Sequence, residues 1–211
     1  MFGHQQSCQR GTAVGDGKKG SGMGVPPRLE PLLKQYDFAF DQLVNRLDGM
    51  TDAEYFWEPV SNCWSVRRKA ESTVDGSIGS GGEWVLEHQY PAPEPPPFTT
   101  IAWRLNHLIN GFNSRADYTV GSHSLTDEAF TPATNAEAAI TALAESGAFW
   151  RSALDPTTDA DLDQVGRSSF PHGLDPTLPF LDIAWWVNQE LLHHGAEIAL
   201  LRDLYRDRDR E

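Results

Sequence analysis

The sequence predicts an all-α fold, a four-helix bundle with a long irregular segment between its first and second long helices. Three observations predict it. Four stretches carry apolar residues at steps of three and four, the spacing that lines one face of a helix. Segments rich in proline and glycine separate these stretches and stop the helices. No glycine-rich phosphate loop joins a strand to a helix and no repeat recurs, which leaves helix-on-helix packing as the architecture.

Residues 1–26 are mostly Gly, Ser, Gln, Lys and Thr. They read as a disordered leader, because they hold too little apolar surface to offset the entropy of ordering. The domain proper spans 28–206. Its first helix covers about 28–47, where Leu29, Leu33, Tyr36, Phe40, Leu43 and Leu47 share a face and Gly49 ends the run. Thr51 followed by Glu54 has the capping-box pattern and opens a short turn through Tyr55-Phe56-Trp57. From 62 to 98 the periodicity breaks. Gly76, Gly79, Gly81 and Gly82 punctuate it, and Pro91, Pro93 and Pro95-Pro96-Pro97 forbid helix. Only Glu83-Trp84-Val85-Leu86-Glu87 has the character of a short strand. An otherwise structureless connection of this length is often a functional loop. It is expected to lie over the end of the bundle where the next helix begins.

That second long helix covers about 99–115, capped by Thr99 or Thr100, with Ile101, Leu105, Leu108, Ile109 and Phe112 on its apolar stripe. The third covers 135–154, and its Ala138, Ala139 and Ala142 allow a neighbouring helix to approach closely. Pro156 ends it, and 156–177 is a polar loop containing Pro171-His172-Gly173. The fourth helix covers 178–205, and residues 207–211 form a solvated tail. An antiparallel arrangement of the four helices is expected.

Composition narrows the partners. The formal net charge is −13, so no basic field exists to draw in a nucleic acid. The one tight basic cluster outside the leader, Arg67-Arg68-Lys69, reads as a solvated face. No apolar run is long enough to span a bilayer, and the first residues lack the apolar core of a signal peptide. A cytoplasmic protein with neither nucleic acid nor membrane as a partner is expected. Cys8 and Cys63 suggest no disulfide framework, and Cys63 shows no His or Lys pairing that would make it a nucleophile.

The chemistry concentrates in Trp185–Ile198. Glu190 and His194 are four residues apart, on nearly the same side of the fourth helix as Ile183, Val187, Ile198 and Leu201. A carboxylate and an imidazole on a core-facing stripe are costly unless a partner neutralises them. A divalent metal is one such partner; a metal-free Glu–His or Glu–Arg pair is the other. Glu197 rivals Glu190, being three residues from His194, unless a salt bridge to Arg104 or Arg202 claims it. His193 points away by about a quarter turn and is an outer contact. On spacing alone His107 is a boundary histidine beside Trp103, off the main stripe. His88, His123 and His172 fall on loops and read as surface, although His88 reaches the site if its segment folds over it. Trp103 and Trp186, each one turn from a candidate ligand, are core residues or walls of an apolar pocket.

Two segments carry a resemblance. Thr99-Thr100-Ile101-Ala102-Trp103-Arg104-Leu105-Asn106-His107-Leu108 is similar to the second-helix motif of the DinB-like superfamily, and Asn188–Ile198 resembles its fourth-helix motif. Trp64-Ser65 resembles the Trp-Ser pair that precedes the second helix there. The resemblance covers about 28–206 and implies a four-helix bundle that holds a divalent metal. Carried over residue by residue, it implies His107, Glu190 and His194 as the ligands. Glu190 stands where the family usually has histidine. A second departure is that 62–98 separates Trp64-Ser65 from the second helix, which reads as an insertion.

What the resemblance implies for function is a metal-dependent transferase or isomerase that uses a low-molecular-weight thiol. In such enzymes the metal lowers the thiol pKa and presents the sulfur to an electrophile. Zinc is the first expectation for the metal, with nickel, iron or manganese as alternatives, since two His and one carboxylate suit each of them. A small molecule is the expected substrate and a homodimer the expected assembly; no catalytic residue beyond the metal ligands is legible. Two other classes stay open: a non-catalytic bundle whose metal site is structural or lost, and a metal-dependent hydrolase.

Overall fold

The computed structural model describes residues 24–168 and 175–209. Residues 1–23 with Cys8, residues 169–174 with Pro171, His172 and Gly173, and the last two residues lie outside the described residues. The elements are α1 (Glu30–Arg46), a single turn α2 (Asp52–Tyr55), strands β1 (Val66–Arg68), β2 (Ser77–Ile78) and β3 (Trp84–Glu87), and then α3 (Ile101–Val120), α4 (Ala136–Ala153) and α5 (Phe180–Asp207). The four long helices match the sequence expectation, with α3 five residues longer than predicted because nothing interrupts it before Gly121. Three of the four starts have a local cause. Pro31 opens α1, the Thr100 hydroxyl accepts from the Trp103 amide to cap α3, and the Asn135 side chain accepts from the Ala138 amide to cap α4. No helix among the described residues is long and apolar enough to cross a membrane.

Hydrogen bonds and ion pairs between helices fix their directions. Asn188 donates to the Leu32 carbonyl while Arg46 reaches the Ala199 carbonyl, so α1 and α5 run parallel. Arg104 pairs with Glu197, His107 with Glu190, and Arg115 covers Trp186, so α3 runs antiparallel to α5. At the start of α4 the Ala136 amide donates to Asp52, and near its end Arg151 binds Asp37 on α1. Hence α4 runs with α3. The bundle is therefore two parallel pairs opposed to each other, so the antiparallel packing expected from the sequence holds between the pairs and not within them. The loop 121–135 makes the long crossover that a parallel α3–α4 pair requires.

Leu33, Tyr36 and Leu43 of α1, Leu105, Leu108 and Phe112 of α3, Leu143 and Trp150 of α4, and Ile183, Val187, Leu191 and Ile198 of α5 fill the core. A close approach to α4 falls at Gly147, a position the sequence analysis did not single out. A Cβ there would lie 2.2 Å from the Phe40 ring, and the Gly147 carbonyl accepts from the buried Tyr36 hydroxyl at 3.0 Å.

The 62–98 segment is not structureless. Its three strands form an antiparallel sheet in the order β1-β3-β2, with Val66 opposite Leu86 and Ile78 also opposite Leu86. Sequence reading found β3 and missed its two partners, which are three and two residues long and too short for an alternating pattern. The segment leaves and returns at one place. The Trp64 amide donates to the Phe98 carbonyl at 2.8 Å, and the Thr100 amide donates to the Trp64 carbonyl at 3.0 Å. Trp64-Ser65 thus stands against the first turn of α3 although residues 66–100 intervene.

A buried ion pair ties the end of α5 to the α1–α2 turn. Arg202 donates through Nε to Glu54 Oε1 at 2.6 Å and through Nη2 to Oε2 at 3.1 Å. Both side chains are almost fully enclosed, and Arg202 also donates to the carbonyls of Arg46 and Asp48. Of the capping box, the Thr51 half forms, while the Glu54 carboxylate serves Arg202. Removing one partner strands the other charge in the core. Arg202→Ala should therefore cost about 3–5 kcal/mol of unfolding free energy, measured by urea denaturation. A loss below 1 kcal/mol would mean that the pair is not buried as described.

Candidate functional site

Glu190 and His194 lie one turn apart on α5, so their side chains project together from one face. The antiparallel packing of α3 brings His107 opposite them. His107 Nε2 lies 3.1 Å from Glu190 Oε2, and His194 Nε2 lies 3.3 Å from that same oxygen. The imidazole rings are 4.9 Å apart at 78°, and one ligand atom from each residue falls within 4.8 Å of the other two. His194 is buried, whereas His107 and Glu190 are partly open, with side chains 27% and 19% exposed. His107 is thus the boundary residue that its spacing indicated, and the boundary is where a site with access must be.

The protonation states suit a cation. Burial pushes the Glu190 carboxyl up, but hydrogen bonds from His107 and His194 and their charges outweigh it and bring the pKa down to about 2. Burial holds His194 below the ordinary imidazole value against the opposing pull of Glu190. An ionised carboxylate beside a neutral, buried imidazole is a donor set for a divalent ion.

Aromatic rings wall the site. Trp103 stacks on His107 at 4.9 Å and 9°, and meets His194 edge-on at 6.0 Å. Its indole Nε1 donates to the Glu87 carbonyl at 2.6 Å, fixing the ring. Trp64 lies against Trp103 at 6.4 Å, and His88 lies edge-on to Trp64 at 6.2 Å. The sheet therefore sits beside the site, with His88 well within 20 Å of His107. His88 Nδ1 is buried and has no hydrogen-bond partner among the described residues. Burial, then the charge of His107, lowers the His88 pKa.

Behind His194, Glu197 Oε2 lies 2.9 Å from Nδ1, His193 Nε2 lies 3.2 Å from Glu197 Oε1, and Arg104 pairs with Glu197. Of the two arginines weighed for Glu197, Arg104 is its partner, while Arg202 serves Glu54. Trp186 carries the Arg115 guanidinium over its ring at 5.0 Å. His123 stacks on Tyr118 beyond the far end of α3 and takes no part. Cys63 is buried and donates to the Val60 carbonyl, and burial raises its pKa, as expected of a structural thiol.

Two supporting residues escaped sequence reading. Buried Asn106 donates to the Tyr55 hydroxyl at 2.7 Å and to the Ala102 carbonyl, and accepts from the Ala133 amide. It pins α2 and the crossover loop to α3 beside His107, and an amide within an apolar helical run was the signal. Buried Glu87 accepts from the Ser65 amide, Arg67 and Ser72, which holds the sheet against Trp103.

A carboxyl whose pKa falls from 4.5 to about 2 on folding stabilises the protein fully above the first value and progressively less toward the second. With metal removed by chelation, Glu190→Gln should be less stable than wild type at neutral pH. The difference should shrink as pH falls from about 4.5 toward 2 in acid–urea titrations. A difference that does not change over that range would contradict the hydrogen-bonded carboxylate.

Comparison with known proteins agrees with this geometry. Searches of curated proteins and of solved structures gave no match. The family model of the DinB superfamily matches residues 35–198, from the second turn of α1 through Ile198 of α5. That span takes in both helices that carry His107, Glu190 and His194, and the chain belongs to the DinB superfamily.

Proposed function

We propose that His107, Glu190 and His194 hold one divalent cation, zinc by first preference. The observation that carries this reading is the position of His194 between two carboxylates, Glu190 on Nε2 and Glu197 on Nδ1. A neutral imidazole has one N–H and satisfies one of them. A cation shared by Nε2 and Glu190 satisfies the other. Two nitrogens and one carboxylate oxygen supply three ligands, leaving a position open in a tetrahedral set.

Within that reading, the function is metal-dependent transfer or isomerisation with a low-molecular-weight thiol. A bound divalent ion would supply Lewis acidity toward a thiol sulfur at the open position. The chain does the rest. Trp103 and Trp64 limit water at the centre, and the single carboxylate leaves net positive charge that favours an anionic sulfur. The sheet borders the centre through Trp103, and His88, just past β3, lies against Trp64. Nickel, iron and manganese suit the same donors. A non-catalytic bundle is the second reading, favoured by the hydrogen bond that His107 already makes to Glu190.

Competition titrations with Zn, Ni, Mn and Fe(II) test the proposal. Wild type should bind about one equivalent at micromolar or lower concentration. His194→Ala should abolish binding, and Glu190→His should retain or strengthen it for a nitrogen-preferring metal. Loaded protein that consumes no electrophile with any of several low-molecular-weight thiols would leave the non-catalytic reading.

A further inference from the structure

We propose that Glu197, held by Arg104, keeps the proton of His194 on Nδ1 and so points a bare Nε2 lone pair at the centre formed with His107 and Glu190. Its purpose rests on the metal-binding reading; its test does not. The two carboxylates compete unequally for the single proton of a neutral imidazole. Glu197 Oε2 is 2.9 Å from Nδ1, whereas Glu190 Oε2 is 3.3 Å from Nε2. Both oxygens have a second partner, His107 on Glu190 and Arg104 on Glu197, so the shorter distance decides and the proton goes to Glu197.

Glu197 is itself anchored. Arg104, only 12% exposed, pairs with Oε2, and His193 Nε2 approaches Oε1 at 3.2 Å. His193, His194 and Glu197 also bring their donor atoms together, which on its own suggests a second cation site. The Arg104 guanidinium already supplies the positive charge there, pairing with Glu197 and lying 3.3 Å from His194 Nδ1. Glu197 is therefore a positioning residue rather than a ligand, and a carboxylate on the far nitrogen of a ligating imidazole fixes both its tautomer and its orientation.

Arg104 makes the arrangement testable. Without the Glu197 carboxylate, the nearest polar group to Nδ1 is a guanidinium, which can only donate. Nδ1 must then accept, the proton moves to Nε2, and the lone pair needed at the centre is lost.

The tautomer of His194 can be read by two-bond 15N–1H correlations in the chelator-treated full chain. The measurement belongs at about pH 8, above the ordinary imidazole range, with His194→Ala assigning the signals. Wild type should show Nδ1–H and Glu197→Ala should show Nε2–H. Glu197→Gln should keep Nδ1–H because its carbonyl still accepts, and Arg104→Met should keep it because the competing donor is gone. Zinc competition gives a second readout: Glu197→Ala should bind about 10–100-fold more weakly, and Glu197→Gln less so. A wild-type Nε2–H tautomer, an unchanged tautomer in Glu197→Ala, or equal zinc affinity in the two would overturn the proposal. Should Glu197→Ala not fold, the wild-type and Arg104→Met tautomers still decide it. If wild type takes up no zinc, the metal reading falls alone and the tautomers still judge Glu197.

Discussion

The cost of enclosing one carboxylate between two helices governs the arrangement around it. Glu190 lies on the α5 face that packs toward α3, and a carboxylate there must be neutralised or hydrogen-bonded. His107 hydrogen-bonds one of its oxygens at 3.1 Å, and His194 Nε2 lies 3.3 Å from that same oxygen. The requirement fixes which turn of α3 faces which turn of α5. The surrounding contacts hold that register: Arg104 to Glu197 one turn to one side, and Arg115 over Trp186 on the other. Farther along α5, the buried Glu54–Arg202 pair ties the same helix to the α1–α2 turn. A slip of one turn would leave a charge without its partner at several of these points together.

The sheet adds a second layer of constraint. Trp64 donates to the Phe98 carbonyl and accepts from the Thr100 amide where the 66–98 excursion leaves and rejoins the bundle, so the two ends of the excursion are fixed together at the start of α3. Glu87 closes the sheet through three donors and presents its carbonyl to Trp103. Trp103 in turn stacks on His107. The positions of His107 and the sheet are thereby linked through one indole ring, which is how a segment distant in sequence comes to border the site.

Much of this was legible in the sequence because its physical basis is local. Four amphipathic stripes of 17 to 28 residues specify four helices, and a four-residue step sets Glu190 beside His194 whatever the tertiary fold. His107 was not legible from spacing, since a residue at the edge of its stripe looks the same whether it faces solvent or a neighbouring helix; only the motif around Trp103-Arg104 marked it. Strands β1 and β2 were missed because they exist through pairing with β3, not through any pattern of their own. The parallel run of α3 and α4 was missed for a similar reason. A 15-residue loop is compatible with a return or a crossover, and Ala136 on Asp52 and Asn106 on Ala133 decide between them only in three dimensions.

The central claim is that the chain carries a divalent metal where α3 meets α5. Elemental mass spectrometry of protein purified without an affinity tag tests this most directly, with His194→Ala prepared in parallel. The account predicts about one divalent ion per wild-type chain and almost none in the variant. Wild-type protein that carries no zinc, nickel, iron or manganese, and takes none up when supplied at micromolar concentration, would contradict it.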